Sequence, residues 1–320
     1  MSFMNRVDPQ LRVGLQLFPT FELNEQQLAM VRGITFPPQP RSEHVLTTSR
    51  MIVGAGGQDM LVKIYEPIER KQQSLPGLLW IHGGGYLIGH PDMDDALCEA
   101  FVDAAHCVVV SVDYRLAPEH PYPAAIKDCY AALQWTAASA DELRIDLSRL
   151  GIAGASAGGG LTAALALMAR DKGGPALSFQ MPLYPMIDHR NTTPSSHEIT
   201  DERLPWNRQK NITGWRLYLG DHAEGEISPY AAAAMADDLR GLPPTYTCVG
   251  QLDPFRDETI DYVARLAQAG VDVKFELYPG CFHGFESIMP NAKISQQARN
   301  GYIGAVARAL NPEETVMAAD

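Results

Sequence analysis

The sequence is poor in cysteine and lacks any cysteine pattern typical of a metal or redox site. Its 320 residues contain five cysteines, an odd number, and no two of them have the spacing of a metal-ligand or redox pair. Two of them, Cys107 and Cys248, lie within apolar strand-like runs, where reduced buried thiols are common. We therefore expect free thiols, with no disulfide framework and no cysteine-bound metal.

Long apolar runs and a basic composition are also absent. No run approaches the roughly 18 apolar residues that a membrane span needs, and residues 1–12 lack the apolar core of a signal peptide. Asp and Glu outnumber Lys and Arg by 38 to 26, and the resulting net charge of −12 argues against nucleic acid or an anionic membrane as a partner. We expect a cytoplasmic protein that takes neutral small molecules.

What the sequence does contain is a regular alternation of apolar runs and helical patterns. Several of the runs are apolar on both sides, which is typical of parallel strands covered on both faces. The strand-like runs are Met60–Tyr65, Gly77–Ile81, Val108–Val112, Leu150–Ala153, Phe179–Leu183, Thr245–Val249 and Val273–Tyr278. The helical patterns are Asp94–Ala105, Ala124–Ser139, Gly159–Ala169, Glu258–Ala269 and Ile294–Leu310. This alternation predicts a doubly wound α/β fold with a mostly parallel sheet.

Two stretches break the alternation, and neither completes a strand–helix–strand unit. Residues 1–47 carry scattered apolar side chains and a proline-rich run at 37–40, and residues 189–226 carry tryptophans and leucines among polar residues. We predict that these stretches form the two parts of a helical cap over the functional edge of the sheet. Residues 48–188 and 227–320 then form the two parts of the α/β core.

The pentapeptide Gly154-Ala155-Ser156-Ala157-Gly158 is the most informative motif in the chain. It joins an apolar run to a helical pattern, so the backbone must turn sharply from strand to helix there. Small neighbours permit such a turn, and a serine on it is held above the end of the sheet, where a base can reach it. We predict that Ser156 is a nucleophile.

A serine hydroxyl needs a base, and the base needs an orienting acid. After such an elbow these follow in the order Asp or Glu, then His. His283 follows the last predicted strand and Asp253 follows the one before it, so both fall at the carboxyl edge of the sheet. Asp257 and Glu258 are the alternative acids, with Asp257 the stronger of the two, although both lie at a helix start, where an acidic residue favours the helix dipole in any case. The sequence thus predicts the triad Ser156, Asp253 and His283.

The run His82-Gly83-Gly84-Gly85-Tyr86 follows another predicted strand. Consecutive glycines let a backbone approach a ligand closely and turn its N–H groups inward. Such a tract supplies the oxyanion loop of lipases and esterases. The N–H of Ala157, at the start of a helix, is a further candidate donor. Tyr86 is predicted to be a wall of the substrate pocket, and a purely structural role for it is the alternative.

Together with the stretch Asp113–Ala125, these motifs resemble those of the bacterial hormone-sensitive-lipase-like esterases within the α/β-hydrolase fold. The resemblance implies an eight-stranded, mostly parallel sheet flanked by helices, with a helical cap. It also implies that Gly84, Gly85 and Ala157 are the oxyanion donors and that Asp113–Ala125 is a scaffold beside the site. One position departs from the family, which usually carries Asp or Thr where this chain has Ala155. That departure leaves the subgroup open.

The motifs and the resemblance predict a serine esterase that cleaves short- to medium-chain carboxylic esters through an acyl-enzyme, with no cofactor and no metal. An amidase or peptidase with the same triad is an alternative, because the motif does not specify the leaving group. A non-catalytic ligand receptor on the same fold is another, which the presence of His283 disfavours. The resemblance is compatible with a homodimer, although no residue identifies an interface.

Overall fold

The computed structural model of the protein describes residues 3–33 and 41–312. Residues 1–2, 34–40 and 313–320 lie outside this description, and they include the proline-rich run at 37–40. The first predicted cap segment, residues 1–47, and the last predicted core segment, residues 227–320, are therefore described only in part.

Eight strands form one sheet in the order β1-β2-β4-β3-β5-β6-β7-β8. They are β1 (Val45–Val53), β2 (Asp59–Pro67), β3 (Leu75–Ile81), β4 (Val108–Val112), β5 (Ile145–Ala155), β6 (Phe179–Leu183), β7 (Thr245–Leu252) and β8 (Val273–Phe282). Strand β2 runs antiparallel to β1 and to β4, and the other neighbouring pairs are parallel. The predicted α/β fold with a mostly parallel eight-stranded sheet is confirmed, and each run predicted as a strand falls within β2–β8.

Helices flank the sheet and lie in each of the connections between strands from β3 onward. They are α1 (Phe3–Arg6), α2 (Arg12–Leu17), α3 (Leu28–Arg32), α4 (Asp95–Ala105), α5 (Ala124–Ala138), α6 (Ala140–Leu143), α7 (Ala157–Asp171), α8 (Pro194–Glu198), α9 (Arg208–Leu219), α10 (Arg256–Gln268), α11 (Phe285–Ile288) and α12 (Lys293–Leu310). The predicted helical patterns correspond to α4, α5, α7, α10 and α12. In the two described ranges, no helix has the length and apolar character needed to cross a bilayer.

Strand β3 illustrates why the sheet is covered on both faces. Each of its residues is buried, and alternate side chains point to opposite faces of a strand. Leu78 and Trp80 pack into the hydrophobic cluster that contains α4 and α12, whereas Leu79 and Ile81 pack into the cluster that contains α5 and α7. Since both faces are covered by helices, the loops at the strand ends are left to carry polar side chains.

Strand β1 is the element that the apolar runs did not predict. It is an edge strand whose side chains are mostly exposed or half-buried, so its sequence has no apolar run. It begins at Val45, inside the range 1–47 predicted as cap, so the sheet starts before the predicted boundary. The turn from β1 to β2 is closed by the Gly54 N–H, which donates to the Gln58 carbonyl at 2.7 Å.

The two stretches that break the alternation contact each other. The first contains α1–α3 and the second contains α8 and α9. The Lys210 Nζ of α9 lies 4.2 Å from the centroid of the Phe21 ring and donates to the Leu204 carbonyl at 2.7 Å. Burial lowers the pKa of Lys210 to about 8. These contacts agree with a two-part cap, and the division of the chain into cap and core stays a prediction.

Candidate active site

Ser156 lies on a strained turn between β5 and α7. Its backbone has φ 58° and ψ −117°, a conformation that non-glycine residues seldom adopt and that the surroundings must enforce. Its N–H donates to the Leu183 carbonyl at 2.9 Å, and its carbonyl accepts from the N–H groups of Gly160 at 2.9 Å and Met186 at 3.0 Å. These three hydrogen bonds hold the serine in the strained conformation.

The glycines on either side of Ser156 are required by close packing of the backbone. A Cβ at Gly154 would lie 2.4 Å from the Gly158 carbonyl oxygen. A Cβ at Gly158 would lie 2.1 Å from the Ile81 carbonyl oxygen and 2.4 Å from that of His82. The turn is therefore pressed against the end of β3, where the glycine-rich loop begins.

The structure brings the three predicted triad residues together. His283 Nε2 lies 2.8 Å from Ser156 Oγ, and His283 Nδ1 lies 2.7 Å from Asp253 Oδ2. The second carboxylate oxygen of Asp253 accepts the Phe255 N–H at 2.9 Å. Asp253 is 1% exposed, and Ser156 and His283 are each 7% exposed. The arrangement is a buried hydroxyl–imidazole–carboxylate chain.

Sheet topology explains why residues so far apart in sequence meet. Ser156, Asp253 and His283 each follow the last residue of a strand, namely β5, β7 and β8. Leu252 and Phe282, the residues directly before the aspartate and the histidine, are register partners of β7 and β8. Because parallel strands end at the same edge of a sheet, side chains that follow them converge.

The alternative acids are engaged elsewhere. The Asp257 carboxylate accepts the Ser195 N–H at 2.6 Å and pairs with Arg256 at 2.7 Å. The Glu258 carboxylate accepts the N–H of Ile187 at 2.9 Å and that of the next residue at 3.2 Å, and burial raises its pKa well above the ordinary value. Both of these side chains anchor loops, and of the three candidate acids Asp253 is the one whose carboxylate contacts His283.

The glycine loop lies against the serine turn. A Cβ at Gly83 would lie 3.0 Å from the Ala155 carbonyl oxygen and 3.5 Å from Ser156 Cβ. Gly84 and Gly85 have positive φ values of 120° and 62°, which side-chain-bearing residues rarely adopt. A Cβ at Gly84 would also lie 1.9 Å from the Ile88 carbonyl oxygen. The loop is thus folded tightly on itself at the predicted oxyanion glycines.

The amide groups predicted as oxyanion donors have no acceptor within residues 3–33 and 41–312. Among the described residues, the N–H groups of Gly84, Gly85 and Ala157 donate to no protein acceptor. Ala157 is the first residue of α7, where the positive end of the helix dipole favours a negative charge. These amides are therefore available to an oxygen that carries negative charge.

The predicted scaffold stretch holds this loop. The Tyr114 hydroxyl donates to the His82 carbonyl at 2.9 Å, and the two rings stack with centroids 4.3 Å apart. The Ala117 N–H donates to the Tyr86 carbonyl at 3.0 Å. Burial lowers the pKa of His82 to about 4, so its imidazole is neutral at physiological pH.

Tyr86 is anchored against α9. It has a positive φ of 65° and is 1% exposed. Its hydroxyl donates to the Met186 carbonyl at 2.7 Å, and its ring stacks on Tyr218 of α9 with centroids 3.9 Å apart. These contacts fix the glycine loop against α9. Its predicted role as a pocket wall stays a prediction.

Three aromatic side chains surround His283, and the motifs did not single them out as site residues. The centroids of Phe255, Tyr184 and Trp206 lie 5.0, 5.2 and 6.4 Å from that of the imidazole. Phe255 and Tyr184 follow the ends of β7 and β6, a position that could have marked them. The Tyr184 hydroxyl donates to the buried carboxylate of Glu286, whose pKa is raised by burial. The imidazole is therefore enclosed by apolar ring surface.

Ala155 has an apolar setting. It is paired with Leu183 across β5 and β6, and its side chain is half-buried against one of the two hydrophobic clusters. A methyl group suits these neighbours. The departure from the family pattern leaves the triad contacts in place.

Comparison with known proteins gives a consistent picture. A family model described as alpha/beta hydrolase fold matches residues 78–287. Carboxylesterase NlhH of Mycobacterium tuberculosis is 36% identical over 312 residues, which cover 95% of this chain and 97% of the relative. Esterase LipI of the same organism is 38% identical over 265 residues, which cover 82% of each chain. Among solved structures, a bacterial heroin esterase matches with a TM-score of 0.87 at 36% identity, covering 97% of this chain and 99% of that one.

Proposed function

We propose that this chain, which belongs to the α/β-hydrolase fold family and is a carboxylesterase, cleaves its esters through an acyl-enzyme on Ser156. The observation that carries the proposal is the pair of contacts made by His283. One imidazole nitrogen lies 2.8 Å from Ser156 Oγ, and the other lies 2.7 Å from the buried carboxylate of Asp253. A nucleophile, a base and an orienting acid in one chain are what acyl transfer requires.

The donor and acceptor roles in this chain follow from the carboxylate. An ionised Asp253 can only accept, so the proton of a neutral His283 belongs on Nδ1. Nε2 then presents its lone pair to the Ser156 hydroxyl and takes the proton as Oγ attacks the ester carbonyl. Asp253 holds the ring in this tautomer and stabilises the imidazolium that forms.

The attack places negative charge on the former carbonyl oxygen. We propose that the amides of Gly84, Gly85 and Ala157 stabilise it, since they have no acceptor among the described residues. Each donor of this kind contributes on the order of 2.7–4 kcal/mol to the transition state. The imidazolium then protonates the leaving alcohol, and the acyl group remains on Ser156.

Deacylation repeats the same steps with water. Neutral His283 removes a proton from a water molecule, which attacks the acyl carbonyl, and the same amides hold the oxyanion. The imidazolium returns its proton to Ser156 Oγ as the acid leaves. The cycle needs only groups of this chain and water.

We further propose short- to medium-chain acyl groups as substrates. Phe255, Tyr184 and Trp206 enclose the imidazole with apolar rings, and Trp206 is largely buried beside Gly85. Apolar surface of this kind favours an alkyl chain, and the bulk of three rings close to the base favours a small one.

The test compares hydrolysis of p-nitrophenyl acetate, butyrate and decanoate by the wild-type protein and by Ser156→Ala. Ser148→Ala is the matched control, because Ser148 is exposed and lies on the same strand. We expect Ser156→Ala to lose at least about 1,000-fold in kcat and Ser148→Ala to lose nothing. Wild-type activity in Ser156→Ala, or organophosphate labelling at another serine, would contradict the mechanism. A preference for decanoate would contradict the chain-length proposal alone.

A further inference from the structure

Arg32 connects the first cap segment to the glycine loop. It is the last residue of α3, and its guanidinium makes four hydrogen bonds to two separate parts of the core. Nε donates to the Leu87 carbonyl at 2.8 Å, and Nη2 donates to the Ala117 carbonyl at 2.9 Å. The guanidinium also donates to both oxygens of the Glu119 carboxylate, from Nη1 at 2.7 Å and from Nη2 at 2.9 Å. This side chain therefore joins α3 to the glycine loop and to the scaffold stretch.

The two carbonyls that Arg32 binds belong to Leu87, at the end of the glycine loop, and to Ala117, within the scaffold stretch. The Leu87 N–H donates to the Gly84 carbonyl at 3.0 Å, which closes the turn that carries the candidate donors. The Ala117 N–H donates to the Tyr86 carbonyl at 3.0 Å, so Ala117 joins the scaffold to the same loop. Arg32 therefore binds the carbonyls of two residues whose N–H groups bind the glycine loop.

Both of these residues are buried, at 0% exposure for Leu87 and 1% for Ala117. A buried carbonyl without a donor is costly, so the native loop position depends on a donor that reaches it. Glu119 has a different setting, because its side chain is 57% exposed. The Arg32 hydrogen bonds hold the pKa of Glu119 low, at about 2, so the pair is ionised across the physiological range.

The geometry points to Arg32 as a positioning residue that holds the amides of Gly84 and Gly85 where the oxyanion forms. The inference rests on the proposed acyl-transfer function and deepens it. The main-chain hydrogen bonds do the positioning, and Glu119 aligns the guanidinium plane through its bidentate contact. The first cap segment then belongs to the catalytic machinery in addition to covering it.

The experiment uses the full-length chain with Arg32→Ala, Arg32→Lys and Glu119→Gln. Arg216→Ala is the matched control, since Arg216 is an exposed cap arginine whose partner, Glu25, lies 3.6 Å away. Two quantities are measured for each variant: kcat and KM on p-nitrophenyl butyrate, and the Kd of an alkyl trifluoromethyl ketone. This ketone forms a tetrahedral adduct with a serine nucleophile and places an oxyanion in the loop.

We expect Arg32→Ala to lower kcat about 10- to 100-fold and to weaken ketone binding by the same factor, while KM changes little. A lysine can reach one carbonyl without the fork, so Arg32→Lys should lose less than Arg32→Ala. Glu119→Gln should lose less again, because both carbonyl contacts remain. Arg216→Ala should match the wild type in both measurements.

Wild-type kcat and ketone affinity in Arg32→Ala would overturn the inference, and so would a loss confined to KM. If Arg32→Ala does not fold, Arg32→Lys decides, and a folded lysine variant with unchanged ketone affinity would refute the positioning role. Failure of the proposed function is separate, because it would appear as activity retained by Ser156→Ala. If Ser156→Ala loses activity and Arg32→Ala keeps it, the esterase mechanism stands and only the positioning role of Arg32 is refuted.

Discussion

Replacing Asp253 with asparagine is expected to invert the tautomer of His283. The first oxygen of the Asp253 carboxylate accepts the Phe255 N–H at 2.9 Å, and the second lies 2.7 Å from His283 Nδ1. An asparagine amide has only one oxygen, and the Phe255 N–H requires an acceptor. The amide NH₂ must then face Nδ1, which becomes an acceptor, and the imidazole proton moves to Nε2.

The alternative orientation of the amide is less favourable. With its oxygen toward His283, the asparagine would turn its NH₂ group toward the buried Phe255 N–H. Leaving that amide unsatisfied costs about 1–3 kcal/mol, whereas the two tautomers of a neutral imidazole differ little in energy. The tautomer change is therefore preferred, and it turns an N–H donor toward Ser156 Oγ. A base that already carries its proton cannot take another from the serine.

We expect Asp253→Asn to lower kcat by about 10⁴-fold, which corresponds to about 5.5 kcal/mol of transition-state stabilisation. The assay is steady-state hydrolysis of p-nitrophenyl acetate at pH 7 to 8, with circular dichroism to check the fold. Asp257→Asn is the matched control, since Asp257 is the neighbouring acid whose carboxylate binds Ser195 and Arg256. We expect that control to lose less than about tenfold.

Three outcomes would refute this reasoning. If Asp253→Asn kept more than about a tenth of the wild-type kcat, the tautomer of His283 would not depend on this carboxylate. If Asp257→Asn lost as much as Asp253→Asn, the site could not be assigned to one acid. A crystal structure of Asp253→Asn whose hydrogen-bond network requires the NH₂ to face Phe255 would contradict the orientation argument directly.

Two further predictions concern the loops around Ser156. Gly158→Ala should abolish activity or folding, because its Cβ would lie 2.1 Å from the Ile81 carbonyl oxygen. Gly151→Ala is the control and should fold and remain active, since the nearest contacts of its Cβ would be at 3.4 Å. Equal esterase activity of the two variants would contradict the packing argument. The pKa of His82 is lowered by burial to about 4, below the unfolded value of about 6.5, so its contribution to stability is present at pH 7 and is lost as the pH falls through this window. Urea unfolding should therefore show that the wild type loses about 2 kcal/mol more of its unfolding free energy than His82→Gln between pH 7 and pH 5. If the difference between the two proteins stayed constant with pH, His82 would not be buried in the neutral form.

The convergence of Ser156, Asp253 and His283 could be predicted because each of them directly follows a recognisable strand. Leu252 and Phe282 end their strands, and the register of β7 and β8 pairs them, so the next residues, Asp253 and His283, must converge. Position directly after a strand favoured Asp253 over Asp257, but the sequence could not show that the Asp257 carboxylate accepts the Ser195 N–H. No local pattern contains that information.

The edge strand β1 and the rings around His283 were harder to predict for different reasons. Strand β1 has most of its side chains exposed or half-buried, so it lacks the apolar run that marks a central strand. Trp206 meets the imidazole from a segment that is separated from it by many residues and has no repeating pattern. The sequence predicted that residues 189–226 lie over the functional edge of the sheet, but it did not predict which of their side chains would reach His283.

The contacts that hold the loops around the site share a property that keeps them out of any sequence pattern. Arg32 binds the Leu87 carbonyl, Ser195 Oγ donates to the Pro254 carbonyl at 2.8 Å, and Tyr86 binds the Met186 carbonyl. In each case the acceptor is a main-chain oxygen, which any residue at that position would supply. Only the donor of such a bond has a characteristic side chain, so no pair of residue types in the sequence identifies the bond. The stretches that break the strand–helix alternation are therefore the places where sequence patterns say least, although Arg32 and Ser195, which make two of these bonds, lie in them.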